Sequence, residues 1–170
     1  MDELLVKRAK KGDKKAFEII IKLVKDKAYK VAYCYLHNEE DSMDAVCNAI
    51  EKAYKNIKRL RQVKYFETWF IRIVINECRL IIREKEKVNK LISNMQSNDI
   101  YVENKEAILD LHNALNQLAE EDRIIIYLKY YWGYTIREVA TLLELPEGTV
   151  KTKIYKNLKK MKIQLEVKEG

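Results

Sequence analysis

The sequence predicts an all-α protein of two small helical domains joined by a linker, the second containing a helix-turn-helix. Three observations predict it. Only 4 glycines and 1 proline punctuate the 170 residues, and Lys, Glu, Leu and Ile dominate, a composition of helix formers. Apolar residues recur at spacings of three and four along most of the chain, with no competing period-2 alternation. That pattern fails across 88–103, VNKLISNMQSNDIYVE, where amides and serines lie among scattered apolar residues. The expected organisation is therefore a domain over 1–87, a linker over 88–103 and a domain over 104–170. Fully extended, such a linker spans roughly 50 Å, at about 3.3 Å per residue.

A short first helix near residues 2–11 stops at Gly12-Asp13, a stop-and-cap pair. Phe17, Ile20, Ile21, Val24, Ala28, Val31, Ala32 and Tyr35 trace a long amphipathic helix that His37-Asn38 ends. A third helix runs from about Asp41 to Ile57 on Ala45, Val46, Ala49, Ile50, Ala53 and Tyr54. A basic loop from Lys58 to Tyr65 precedes a fourth helix, Phe66 to about Lys85, with Phe66, Phe70, Ile73, Val74 and Ile81 expected inward. Helix periodicity resumes near Asn104 with Ile108, Leu111, Leu115 and Leu118, followed by Ile124 to Tyr131.

Residues 133–162, GYTIREVATLLELPEGTVKTKIYKNLKKMK, read as two helices around a tight turn. Thr135 and Glu138 have capping-box spacing. Ile136, Val139, Ala140 and Leu143 form one apolar face, and Leu145-Pro146 breaks the helix. Val150, Ile154, Leu158 and Met161 supply the inward stripe of the next segment. Its other faces carry Lys151, Lys153, Lys156, Lys159, Lys160 and Lys162 with no acid between them. A buried stripe backed by one-sign charge suits a DNA major groove lined by phosphates.

The net charge of +7 points to polyanionic partners. Charge is also segregated. Glu39, Glu40, Asp41, Asp44 and Glu51 make 38–51 purely acidic, whereas Lys52, Lys55, Lys58, Arg59, Arg61 and Lys64 make the next stretch basic. Blocks of this kind suggest separate surfaces for separate partners. On the fourth helix Arg72, Asn76, Arg79 and Arg83 recur at intervals of four, three and four, sharing an outward face able to grip phosphates and probe base edges. Phe70 is expected in the core, while Trp69 fits either burial or stacking on an unpaired base.

Cys34, Cys47 and Cys78 are widely spaced without CxxC, which argues for buried reduced thiols over disulfides or zinc. No metal or cofactor is expected. The N-terminus has no apolar signal core and no run approaches a membrane span, so a cytoplasmic protein without membrane insertion is expected. Nothing suggests an enzyme: His37 and His112 stand singly in amphipathic helices, and no glycine-rich phosphate loop exists. A helix-turn-helix regulator with a ligand-binding or dimerising N-terminal bundle, or a helical adaptor that never touches DNA, are the other classes open.

The run LHNALNQLAEEDRIIIYLKYYWGYTIREVATLLELPEGTVKTKIYKNLKKMK resembles the fourth conserved region of bacterial RNA polymerase sigma factors. DSMDAVCNAIEKAY at 41–54 and FETWFIRIVINECRLIIREK at 66–85 resemble their second region. The order, with only a short linker between, is similar to the extracytoplasmic-function (ECF) group of the sigma-70 family. Cys47 stands where the family's DAxDxxQ pattern has glutamine, Met43 replaces the acid usual there, and Glu144 stands where glycine is frequent.

The resemblance implies a sigma factor that binds core RNA polymerase, recognises −10 and −35 promoter elements and promotes opening of promoter DNA. It implies docking on the β′ clamp helices through Asp41, Asp44, Cys47, Asn48 and Glu51, and docking of the C-terminal unit on the β flap. The −10 element falls to Leu60, Arg61, Lys64, Trp69, Arg72, Asn76, Arg79 and Arg83, with Leu60 at the wall of a pocket for a flipped base and Asn76 near that base. The −35 readers are Lys151, Thr152, Tyr155 and Lys156, with Thr149 and Lys153 placed for phosphates. Members of the group are often held inactive by an anti-sigma factor, so such a partner is expected.

Overall fold

A computed structural model of the chain describes residues 2–92, 114–115 and 117–168. All regular structure among the described residues is helical. The chain divides into two compact units, Met1–Glu84 and Lys85–Gly170.

In the first unit α1 (Glu3–Lys10) starts at Asp2, whose carboxylate accepts the Leu4 N–H at 2.8 Å. It stops at Gly12, whose φ of +97° is open to glycine at little cost. Asp13 then caps α2 (Lys14–Leu36), accepting the Ala16 N–H at 3.0 Å. That amide, with the Arg8 guanidinium, holds the Asp13 carboxyl below its usual range. His37, in a left-handed conformation, ends α2, and Asn38 caps α3 (Glu39–Asn56).

The expected basic loop is instead two 3-10 turns, Ile57–Arg59 and Val63–Tyr65, pinned by burial of Ile57 and Leu60. They deliver the chain into α4 (Phe66–Ile92). This helix outruns its expected end near Lys85, because EKEKVNK contains strong helix formers and neither glycine nor proline. Residues 88–92 of the expected linker thus continue α4. The rest of that linker, the expected helix start near Asn104, and Ile108 and Leu111 lie outside the described residues.

Ala45, Ala49 and Ala53 give α3 a smooth buried face, and α2, which packs against α3, buries Ile20, Val24, Ala28 and Val31. On α4 the buried stripe is Phe66, Phe70, Ile71, Val74, Ile75 and Cys78. Ile73 and Ile81, expected inward, are only half-buried. At about 100° per residue Ile73 falls far off the stripe's centre. Phe66 and Phe70 stack at 6.1 Å between centroids. Burial pushes the Cys78 thiol up to about 12. Cys34 is half-buried and Cys47 exposed, so the expectation of buried thiols holds for Cys78 alone.

In the second unit Leu115 and Leu118 are buried as expected, in a cluster with Ala114, Ile126 and Met161. α5 (Glu120–Ile126) runs into a π turn, Tyr127–Tyr131, in which the Trp132 N–H reaches the Tyr127 carbonyl at 3.1 Å. Gly133, at φ +70°, lets the chain reverse so that the Tyr134 N–H meets the Leu128 carbonyl at 3.0 Å.

Thr135 and Glu138 form the expected capping box at the start of α6 (Ile136–Leu143). Glu144 ends α6 at φ +58°. A left-handed backbone costs a residue with a Cβ about 1–2 kcal/mol, part of which glycine's greater unfolded-state freedom offsets. Glu144→Gly is expected to stabilise the second unit by about 0.5–1 kcal/mol. A denaturation midpoint that falls would remove this account of the turn.

Pro146 then leads into α7 (Glu147–Lys168). Its inward stripe is Val150, Ile154, Asn157 and Met161, whereas Leu158, expected inward, is 36% exposed. Counting about 100° per residue, position 157 lies roughly 20° from Val150 and position 158 roughly 80°.

Candidate nucleic-acid interface

Within the first unit, four side chains of α4 share the face opposite its buried stripe. Arg72 and Arg83 are exposed, while Asn76 and Arg79 are half-buried. All four fall within an arc of about 60°, from rotation of 100° per residue. Arg79 Nε donates to the Tyr35 hydroxyl at 3.4 Å, which steers the guanidinium along α2. Trp69 is half-buried, its ring 5.9 Å from that of Phe66, while Phe70 is fully buried as expected.

Ion pairs hold α4 on two sides. Lys27 Nζ meets Glu67 Oε1 at 2.6 Å on the α2 side, and Lys52 Nζ meets Glu77 Oε1 at 2.7 Å on the α3 side. Glu77 is buried, so removing Lys52 would strand a desolvated carboxylate.

Beside α4, Leu60 is buried at 5% exposure, so its side chain supports the turn from below. Its carbonyl accepts from Lys10 Nζ at 2.5 Å, tying α1 to the turn. Arg61 and Lys64 are exposed. Together with Lys7, Arg8 and Lys10 of α1 and Lys11 just beyond it, they line an open groove of about 670 Å³ in which Glu3 is the lone acid. Sequence reasoning missed this α1 wall. The run KRAKKGDKK signals charge, but only the tertiary fold brings residues 7–11 against residues 61–64.

A different chemistry marks α3. Asp41, Asp44, Asn48 and Glu51, at intervals of three, four and three, share one face, and Cys47 lies at its edge. Asp41 is half-buried and the other four are exposed. Lys55 hydrogen-bonds Glu51 one turn on and holds its carboxyl below the usual range. The acids of the first turn also sit where the helix dipole favours them, so the fold tolerates this concentration of charge. Met43, 58% exposed, adds an apolar contact point beside them.

In the second unit, α7 exposes Lys151, Thr152, Tyr155 and Lys156 on one arc, with Tyr155 76% exposed. The Thr152 hydroxyl donates to the Gly148 carbonyl at 2.9 Å, which leaves its oxygen facing outward as an acceptor. Thr149 and Lys153 are half-buried at the flanks. Lys153 is engaged with Asp122 of α5. Among the described residues there is no group of His, Cys, Asp and Glu fit to hold a metal ion, and no helix long and apolar enough to cross a membrane.

These surfaces coincide with two family matches: sigma-70 region 2 over residues 20–88 and sigma-70 region 4 over residues 108–161. The chain is 31% identical to the ECF RNA polymerase sigma factor SigW of Bacillus subtilis, over 94% of both chains. It is 29% identical to RNA polymerase sigma factor SigV of the same organism, over 81% of this chain and 83% of that one. The fold is similar to that of the sigma factor RpoE in its co-crystal structure with the anti-sigma factor NepR from Bartonella quintana. There the TM-score is 0.75 and the identity 18%, over 90% of this chain and 98% of that one. It is also similar to CnrH in complex with the cytosolic domain of CnrY, with a TM-score of 0.72 and 20% identity over 98% and 97%. Sigma factors initiate transcription and are not enzymes, and the chain with its paired region 2 and region 4 belongs to the ECF RNA polymerase sigma factors of the sigma-70 family.

Proposed function

We propose that this ECF sigma factor docks on core RNA polymerase through the acidic face of α3 and reads promoter DNA with two cationic arcs. The observation that carries the reading is the α4 arc of Arg72, Asn76, Arg79 and Arg83, standing beside the basic groove at Arg61 and Lys64. Three guanidinium groups neutralise phosphates and release their counterions, while the single amide can question a base edge. A base swung from the stack would settle against the turn at Leu60, with Trp69 available to cover an unpaired neighbour. Holding that base outside the duplex favours the open form, since unstacking costs only a few kcal/mol.

The −35 element falls to α7. Lys151, Thr152, Tyr155 and Lys156 enter the major groove, and Thr149 at the helix start meets a phosphate. Lysine donates to guanine O6 and N7, and the Thr152 hydroxyl oxygen accepts from a base amino group. The acidic α3 face, through Asp41, Asp44, Cys47, Asn48 and Glu51, repels DNA and suits the β′ clamp helices, and the C-terminal unit docks on the β flap. The protein works in the cytoplasm, where the polymerase is. Control by an anti-sigma factor is supported by the likeness to RpoE, which is held by NepR in the structure matched.

In vitro transcription with purified core, this protein and a promoter library tests the whole reading. Transcripts are expected only with both proteins present, from start sites sharing two elements. No transcript from any promoter would refute it. Within that assay Lys156→Ala is expected to weaken −35 binding about tenfold, equivalent to about 1.4 kcal/mol, and to relax preference at one base pair. An unchanged binding profile and salt slope would remove Lys156 from the readers.

A further inference from the structure

Lys153 lies on the flank of α7, between the buried stripe and the exposed arc, and its ammonium is spoken for. Its Nζ meets Asp122 Oδ1 at 2.5 Å, with the two side chains only 30% and 20% exposed. Asp122 stands in the first turn of α5, behind Glu120 and Glu121. The helix dipole explains why acids gather there. It does not explain why a lysine of a different helix reaches in to meet one of them. The two helices also share apolar packing, with Ile126 and Met161 in one buried cluster. Apolar packing fixes the separation of two helices better than it fixes their slide and roll, since dispersion is not directional. A short ion pair at the end remote from Met161 supplies the missing constraint.

We propose that Asp122 is a positioning residue for −35 recognition, acting through Lys153 to set the roll of α7 so that Lys151, Thr152, Tyr155 and Lys156 face the groove. The inference rests on α7 being the −35 helix. It assigns Lys153 a role inside the protein and leaves the phosphates to neighbouring lysines. A helix rolled by one residue position turns about 100° and exchanges readers for core residues. Even a small roll misaligns hydrogen bonds to base edges, because these weaken steeply with angle.

The test uses full-length protein in holoenzyme with core polymerase, and a −35 duplex selected by the wild type from a random library. D122N and K153M are each expected to weaken binding about fivefold to tenfold, about 1–1.4 kcal/mol, with the slope of log K against log salt unchanged. The charge-exchanged double variant D122K/K153D should recover most of the loss, and Asp122→Glu, which keeps the charge, should bind nearly as wild type. Thermal unfolding of each variant checks that it is folded at the assay temperature, and the conservative Asp122→Glu remains informative if D122N is not. A salt slope made shallower by about 0.9 in K153M, with D122N binding more tightly, would overturn the proposal by making Lys153 a phosphate contact. Failure of the exchanged pair to recover binding would also overturn it. A wild-type holoenzyme that selects no −35 sequence would instead refute the reading of α7, and the proposal with it.

Discussion

Reversing the charge at Asp44, by Asp44→Lys, is expected to lower the affinity for core RNA polymerase by about 2–5 kcal/mol, the range measured when a close interfacial charge pair is broken. That corresponds to roughly thirty-fold or more in dissociation constant. Asp44 lies in the middle of the three-four-three series on α3, so a cation there sits between Asp41, Asn48 and Glu51. In the proposed docking, the clamp helices would then meet an acidic surface broken at its centre. Stability should barely move, because an exposed side chain away from caps and core changes folding free energy by about 0.5 kcal/mol at most. The check has two parts: holoenzyme assembly by size-exclusion or fluorescence titration, and the thermal midpoint of the free protein. Normal assembly would remove α3 from the docking surface. Lost assembly with an equally lowered midpoint would show only that α3 had been damaged.

The second large effect concerns stability and has the opposite sign. Asn157 is fully buried on the inward stripe of α7, and neither its amide nitrogen nor its carbonyl oxygen has a hydrogen-bond partner among the described residues. A buried polar atom left unpaired costs about 1–3 kcal/mol relative to water. Asn157→Leu keeps the branch at Cγ and continues the apolar run of Val150, Ile154 and Met161. It is expected to stabilise the second unit by about 1–3 kcal/mol. For a unit of this size the thermal midpoint should rise by roughly 4–8 °C per kcal/mol. The larger leucine volume opposes part of that gain by crowding its neighbours. A midpoint below that of the wild type would mean that crowding outweighs the relief of the amide, whereas Asn157→Ala, which cannot crowd, should separate the two effects.

Local signals were legible in the sequence and tertiary ones were not. The capping box of Thr135 and Glu138, the stop at Gly12-Asp13 and the three-four spacing of Arg72, Asn76, Arg79 and Arg83 are set by residues within one helical turn or a few. Each of these is present in the structure as read. Leu158 continues the helical spacing of Val150 and Ile154 in the sequence. Geometry gives the place to Asn157, which sits closer to the line joining Val150 and Met161. The partner of Lys153 is 31 residues away in the chain, and Lys10 meets the Leu60 carbonyl across 50. No spacing rule reaches that far. The α1 wall of the basic groove was invisible for the same reason. The end of α4 was misplaced because charged helix formers beyond Lys85 carry no stop signal.

The thiol at position 78 has a consequence for the cell's chemistry. Oxidants and electrophiles attack the thiolate, and a group held near 12 in a fully closed site offers almost none at neutral pH. Cys47, by contrast, is exposed on the face of α3 that we propose meets the polymerase. A reactive electrophile would therefore mark the docking face of α3 long before it reached the interior of α4, and damage would register as lost enzyme recruitment while the bundle itself stayed intact.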